Sequence, residues 1–275
     1  MNPVFANSAI VNTPEWLVLK GGRRRKVRLK VRYGIFRHPD AGLLLIDTGY
    51  GPRVKQGPRS MALRIYSSLL GAELWGQGQP EAALARLGAR PQDVRAIVIT
   101  HFHADHIACL DLFPQAQIFA KRSVFDRIRA NNIWQNLRHG AFPELLPADL
   151  SARIVDIGDL ERREAPLGLG MGYDLLGDGS MLAVDLPGHA EGHFGICFAN
   201  LPVPFLYAVD AQWLLDAVPA SRAPGFPASL IADSRRDLVE STRRVQAFRE
   251  NGGDVLLCHD PADSPYDLVR PHNEG

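Results

Sequence analysis

The sequence predicts an α/β fold, and three observations carry that reading. Ala96-Ile97-Val98-Ile99-Thr100 is a β-branched apolar run that ends abruptly in His101-Phe102-His103-Ala104-Asp105-His106. Such a run reads as a strand buried on both faces, and open α/β sheets place their chemistry at C-terminal strand ends. Strand-like and helical patterns also alternate along the chain, with a β-rich then helical rhythm in each half. Finally, 275 residues at 46% apolar and 22% charged can bury a large core of ordinary globular type.

A formal net charge of +1 argues against a general nucleic-acid binder. Gly21-Gly22-Arg23-Arg24-Arg25-Lys26 is the one local basic cluster, and it reads as a solvated turn. Cys109, Cys197 and Cys258 are widely spaced, odd in number and set among apolar neighbours, which suits free thiols in a reducing compartment. Strand alternation would turn Cys258 away from its neighbour His259. No run approaches membrane-spanning length and no secretory signal is read at the start. The expectation is a cytoplasmic protein with neither a membrane nor a nucleic-acid partner.

In chain order, short strands are expected at Ala9–Val11 and Trp16–Leu19. Val27, Leu29, Val31, Tyr33 and Ile35 alternate with Arg28, Lys30, Arg32 and Gly34, a half-buried strand with a basic outer face. His38–Gly42 is a turn by its chemistry. Leu43–Ile46 is a buried strand ending at Asp47. Residues 52–78 hold a helix with a broad apolar face, Met61, Ile65 and Leu69 with their neighbours Leu63, Tyr66 and Leu70, expected to pack on the chain's own core. Glu81–Leu87 is a short helix stopped by Gly88. Arg95–Thr100 and Ile118–Ala120 are strands. Residues 122–150 leave the sheet as a helical stretch with Phe125, Ile128 and Trp134. Ala152–Ile157 resumes strand character, Leu167–Tyr173 reads as irregular, and Gly177–Ser180 is a hairpin turn. Met181–Leu186, Phe194–Ala199 and Phe205–Val209 are strands, Ser234–Glu250 is an amphipathic helix stopped by Asn251-Gly252-Gly253, and Asp254–Cys258 is the last strand.

The polar cluster has metal-ligand chemistry. Neutral imidazole is the commonest protein metal ligand, and carboxylates complete such sites. His101 and His103 are two apart and would point the same way in extended chain; Asp105 and His106 lie past the strand end. Four ligands in six residues are too many for one open tetrahedral zinc, so two metals sharing the cluster is the natural reading. The bland alternative is a polar loop with unrelated histidines.

His101-Phe102-His103-Ala104-Asp105-His106 resembles the HxHxDH signature of the metallo-β-lactamase superfamily. That resemblance implies a four-layer αββα sandwich, one domain over 1–275 with helical insertions near 52–78 and 122–150. Pro187-Gly188-His189 is similar to the family's second metal motif, while His193 would make a structural hydrogen bond. Asp210 ends a strand, where its two oxygens can bridge two cations, and His259 ends the last strand as the seventh ligand. The resemblance implies that His101, His103 and His189 hold one metal, and Asp105, His106 and His259 the other, with Asp210 between. Asp47 would orient a ligand imidazole, its alternative being a simple turn aspartate. With imidazole and oxygen ligands and no thiolate, Zn²⁺ fits first, with Mn or Fe allowed.

Two such cations about 3.5–4 Å apart would make a bridging hydroxide the nucleophile, with Asp105 passing a proton to the leaving oxygen. The layout is most similar to the N-acyl-homoserine lactone lactonases, over roughly residues 27–262. One departure stands out: those lactonases carry a tyrosine three residues after the bridging aspartate, and here Trp213 stands there, read as a wall of the pocket. The expected function is a dinuclear metal-dependent hydrolase opening a small ester, a lactone first. Its rivals are a thioester or phosphoester hydrolase on the same metals, and a metal-containing binding protein with little turnover. The partner is a small-molecule substrate, and the apolar helices could serve a pocket or a homodimer equally well.

Overall fold

The computed structural model describes residues 2–220 and 232–269. The chain divides into two compact units: Met1–Asn12, Leu29–Val155 and Ala262–Gly275 form the first, and Thr13–Arg28 with Asp156–Pro261 the second.

The first seven strands are β1 (Val4–Pro14), β2 (Lys26–His38), β3 (Gly42–Ile46), β4 (Glu73–Leu74), β5 (Val94–Val98), β6 (Gln117–Ala120) and β7 (Ile154–Asp156). They make one mixed sheet in the order β4-β1-β2-β3-β5-β6-β7. The apolar run is β5, paired in parallel with β3 on one side and β6 on the other. Leu44, Leu45, Ile46, Ile97 and Val98 are wholly buried, as expected of parallel strands covered on both faces. Regular pairing stops at Val98, although the Ile99 N–H still donates to Phe119 O at 2.9 Å.

Three expectations for this part of the chain are corrected. Trp16 and its neighbours form no strand: Glu15–Val18 is a single helical turn, α1, and β1 is the long strand before it. The Glu15 carboxylate accepts from Arg25 at 2.7 Å and from the Arg23 N–H at 2.8 Å, folding the basic cluster back on itself. Nor is the basic face of β2 solvated throughout: Arg28 is exposed, but the next two cations are not. Arg32 is fully buried and Lys30 nearly so; Arg32 Nε donates to Asp267 at 2.7 Å and Lys30 Nζ to Asp263 at 2.6 Å. Carboxylates from the end of the chain replace water there.

The third correction concerns α2 (Met61–Leu70), capped by the Ser60 hydroxyl. Ala62, Leu63 and Ser67 are its buried face. Met61, Ile65 and Leu69 do not pack on the core: they are 67%, 42% and 83% exposed. The remaining helices of this unit are α3 (Pro80–Arg86), α4 (Ala104–Ile107), α5 (Arg122–Ala130), α6 (Ile133–Arg138) and α7 (Leu150–Arg153). Phe125 and Ile128 are buried under α5, but Trp134 on α6 is exposed.

The second sheet holds β8 (Arg162–Ala165), β9 (Gly170–Asp174), β10 (Met181–Asp185), β11 (Phe194–Phe198), β12 (Phe205–Val209) and β13 (Asp254–Leu257), in the order β13-β12-β11-β10-β9-β8. All pairs are antiparallel except β12 with β13. Leu167–Tyr173 is therefore not irregular throughout. The irregularity is confined to the turn, where Leu167 takes a left-handed φ of 57°, and β9 follows at once. At the next turn the Asp174 carboxylate accepts from the Gly177 and Gly179 N–H groups at 3.0 and 2.9 Å, as turn aspartates do. Helix α8 (Arg235–Glu250) buries Leu238, Val245 and Phe248, and the last two join Leu186, Leu206 and Leu257 in the core of this unit.

Candidate metal centre

In the first unit the ends of β3 and β5 and the start of α4 bring four predicted ligands together. His101 and His103 follow β5 in extended chain, and His103 caps α4 at φ −67°, ψ 151°. The helical turn then presents Asp105 and His106. All four are buried. The His101 ring lies 4.5 Å from that of His103 and 4.1 Å from that of His106, centroid to centroid. Asp105 Oδ2 is 3.7 Å from Nε2 of His106.

The residues behind the rings set which nitrogen faces the cluster. Asp47 ends β3 in the left-handed region, φ 60°, and is fully buried. Its Oδ1 accepts the Thr100 N–H at 2.9 Å, and its Oδ2 accepts the Thr100 hydroxyl at 2.8 Å. His106 Nδ1–H donates to the same Oδ2 at 2.8 Å. Because the Thr100 proton is committed to Asp47, His101 Nδ1–H donates to Thr100 Oγ1 at 3.1 Å. Both imidazoles therefore carry their lone pair on Nε2, the tautomer a metal ligand needs. Burial pushes the Asp47 carboxyl up, and the bonds from His106 and Thr100 pull against that.

Thr100 and Thr48 were not singled out in the sequence. The Thr48 N–H and hydroxyl both donate to His106 O, at 2.7 and 3.0 Å, and fix α4 against the β3 end. Their signal was position alone: each stands beside a strand-end ligand or its carboxylate. Gly140, after α6, was missed too. Its carbonyl accepts the Ala104 N–H at 3.0 Å, and a Cβ there would stand 3.3 Å from the His103 ring.

The second unit gathers the other three. After β10 the chain turns at Pro187-Gly188 and presents His189. Gly188 has φ 119°, and a Cβ on it would come 2.1 Å from the Leu238 nitrogen, so no other residue lets α8 approach so closely. The Ser234 N–H donates to Gly188 O at 3.1 Å and locks the turn to the α8 cap. Val209 ends β12 at φ 53°, a strained value for a β-branched residue, and the next residue is Asp210. His193 holds this turn through backbone: Nδ1–H donates to Leu186 O at 2.7 Å, and Nε2 accepts the Asp210 N–H at 3.2 Å.

The Asp210 carboxylate stands between two imidazoles. Oδ2 is 3.3 Å from His189 Nε2, and Oδ1 is 3.3 Å from His259 Nε2. All three residues are buried. Trp213 meets both rings edge-on, with centroids 6.1 Å from His189 and 6.2 Å from His259. Cys258 does not turn away. Its Sγ lies within 4.8 Å of the ligand atoms of Asp210 and His259, because β13 ends at Leu257 and Cys258 already stands in a bend where alternation no longer holds. Cys109 and Cys197 are buried free thiols, and burial pushes both up, Cys197 to about 12.

The donor chemistry fits divalent metal. Each unit crowds neutral imidazoles and carboxylate oxygens into a buried cluster, with the His101 and His106 lone pairs on Nε2 by hydrogen bonding. Protonating those rings would set buried like charges about one ring-width apart, whereas a cation matches the set.

Comparison with known proteins agrees. Residues 31–250 match the sequence profile of the metallo-β-lactamase superfamily. The chain is 27% identical over 247 residues to a Rhizobium johnstonii protein named N-acyl homoserine lactonase AttM, covering 88% of this chain and 86% of that one. A mutant of B. thuringiensis AiiA solved with N-decanoyl-L-homoserine aligns with TM-score 0.67 at 15% identity, covering 94% of this chain and 92% of that one. AidC, described as a dizinc quorum-quenching lactonase, aligns with TM-score 0.64 at 14% identity, over 96% and 91%. With most of its length inside the family profile, the chain belongs to the metallo-β-lactamase superfamily, has its fold, and is a metal-dependent hydrolase.

Proposed function

We propose that the protein opens a small ester, a lactone first, at a site holding two divalent cations. The observation that carries this reading is Asp210, whose two carboxylate oxygens lie 3.3 Å from two different imidazoles. A carboxylate so placed can offer one oxygen to each of two cations. In this reading His101, His103 and His189 would hold one ion, Asp105, His106 and His259 would hold the other, and Asp210 would serve both. Imidazole and oxygen donors suit Zn²⁺ first, with Mn or Fe allowed. Bound there, the pair would supply an acidified water and a Lewis acid for the substrate carbonyl.

The chain's own groups do the rest. Asp47 and Thr100 keep the imidazoles in the ligating tautomer. Asp105 takes up the proton that water loses and returns it to the ring oxygen. The water oxygen bonds the acyl carbon as the acyl–oxygen bond breaks, so the product is a hydroxy acid. Trp213 walls the pocket; its indole can donate an N–H but lacks a phenolic oxygen. The curated name of the AttM relative and the acyl-homoserine in the AiiA structure support a lactone substrate. In this reading residues 1–275 act as one catalytic domain. The free thiols favour the cytoplasm.

The test is hydrolysis of lactones, thioesters, phosphodiesters and β-lactams by zinc- and manganese-loaded protein. Lactones should turn over fastest. A faster thioester or phosphodiester would overturn the substrate assignment, and no turnover at full metal occupancy would favour a binding protein.

A further inference from the structure

Helices α2 and α6 pack against each other in the first unit and leave an apolar surface open. Met61, Ile65 and Leu69 form an i, i+4, i+8 stripe on α2, 67%, 42% and 83% exposed. Ile133 and Trp134 on α6 are 49% and 73% exposed. These five are a majority of the large apolar side chains that the described surface exposes. Scattered exposed leucines are ordinary, but a stripe joined by a tryptophan on the adjoining helix marks a contact surface.

The charge around it says what kind of contact. Residues 52–78 carry four Lys or Arg against one acid, and residues 121–139 carry five against one, in a chain of net charge +1. The rest of the chain is therefore net negative. Arg64 stands within the α2 stripe and Arg138 closes α6, and both are exposed. A second copy of the chain docking through the same patch would bring these cations against their own kind. Nucleic acid would meet the cations but offers nothing to a leucine 83% exposed. Exposed apolar side chains that share their two helices with exposed Arg64 and Arg138, and have a tryptophan among them, match the boundary of an anionic bilayer.

We propose that the α2–α6 surface docks the protein peripherally on anionic lipid, with Leu69 and Trp134 entering the headgroup boundary and Arg64 and Arg138 meeting lipid phosphates. No described helix is long and apolar enough to cross a membrane, so the contact lies on the surface. The proposal does not depend on the hydrolytic reaction.

The test is sedimentation of the full chain with vesicles of equal phosphatidylglycerol and phosphatidylcholine, against phosphatidylcholine alone, at low and high salt. Binding should need the anionic lipid and weaken with salt. Arg64→Gln and Arg138→Gln should each weaken it about fivefold, and Leu69→Glu should weaken it further with the far-ultraviolet circular dichroism unchanged. Trp134 emission should shift to the blue on binding, a shift absent in Trp134→Phe. Absence of binding at low salt overturns the proposal, as does equal binding to neutral lipid. So does a dimer in solution that Leu69→Glu dissolves without any vesicle binding, or retention by duplex DNA instead of lipid.

Discussion

Asp47 Oδ2 lies 2.8 Å from Nδ1 of His106, and the same oxygen accepts the Thr100 hydroxyl, also at 2.8 Å. One buried carboxylate thus sets the tautomer of His106 directly and that of His101 through Thr100. Asp47→Asn keeps the shape but presents an amide where an acceptor is needed. Metal affinity should fall ~10–100-fold, read by competition with a chelator, while the exposed Asp40→Asn control stays unchanged. Unaltered affinity in Asp47→Asn would remove the orienting role.

Asp210 reaches both of the other predicted ligands in its unit, one through each carboxylate oxygen. Asp210→Ala should lower bound metal from two equivalents toward one, by elemental analysis, and hydrolysis should collapse with it. Retention of both equivalents would show that the carboxylate is not shared.

Cys258 stands near the same carboxylate without being needed as a ligand in this account. Cys258→Ser should keep the metal content, with turnover close to wild type. Loss of one equivalent would instead make the thiol a ligand and displace His259 from that role.

The buried Arg32–Asp267 pair should govern acid stability. Burial by itself would raise Asp267, but the hydrogen bonds and charge of Arg32, with the Ser264 N–H and the Lys30 charge, together outweigh it and hold the carboxyl below its ordinary value. A carboxylate depressed in the folded state contributes stability above its unfolded pKa, and that contribution is lost as pH falls through the folded value. Asp267→Asn leaves Arg32 buried without its charge partner and should cost about 3 kcal/mol at neutral pH. Urea midpoints from neutral pH down to acid should converge for the two proteins; a constant gap would contradict the linkage.

Gly188 faces the backbone of Leu238 with no room for a methyl group. Gly188→Ala should destabilise by about 3 kcal/mol from strain and overpacking, seen as a lower Tm. An unchanged Tm would show that the His189 turn tolerates displacement from α8.

The strand that carries the first predicted ligands was legible because a buried β-branched run ends abruptly in three imidazoles and a carboxylate, a pattern that the core alone does not call for. The second half was legible wherever Pro, Gly or a lone carboxylate followed an apolar strand. What escaped was non-local. Lys30 and Arg32 read as a solvated face because their partners Asp263 and Asp267 lie more than 230 residues on. The α2 pattern showed a broad apolar face but not which part of it the core takes: the core took Leu63, with Ala62, and left Met61, Ile65 and Leu69 exposed. Thr48 and Thr100 act through a few hydrogen bonds each, which leave no pattern in a sequence. Cys258 was misdirected because alternation was carried one residue past the end of its strand.

The central claim is that two cations share Asp210. Anomalous diffraction at the zinc edge from zinc-loaded crystals tests it most directly. The account predicts two peaks about 3.5–4 Å apart, one beside His101, His103 and His189, the other beside Asp105, His106 and His259, with an Asp210 oxygen toward each. A single peak, or peaks remote from Asp210, would contradict it.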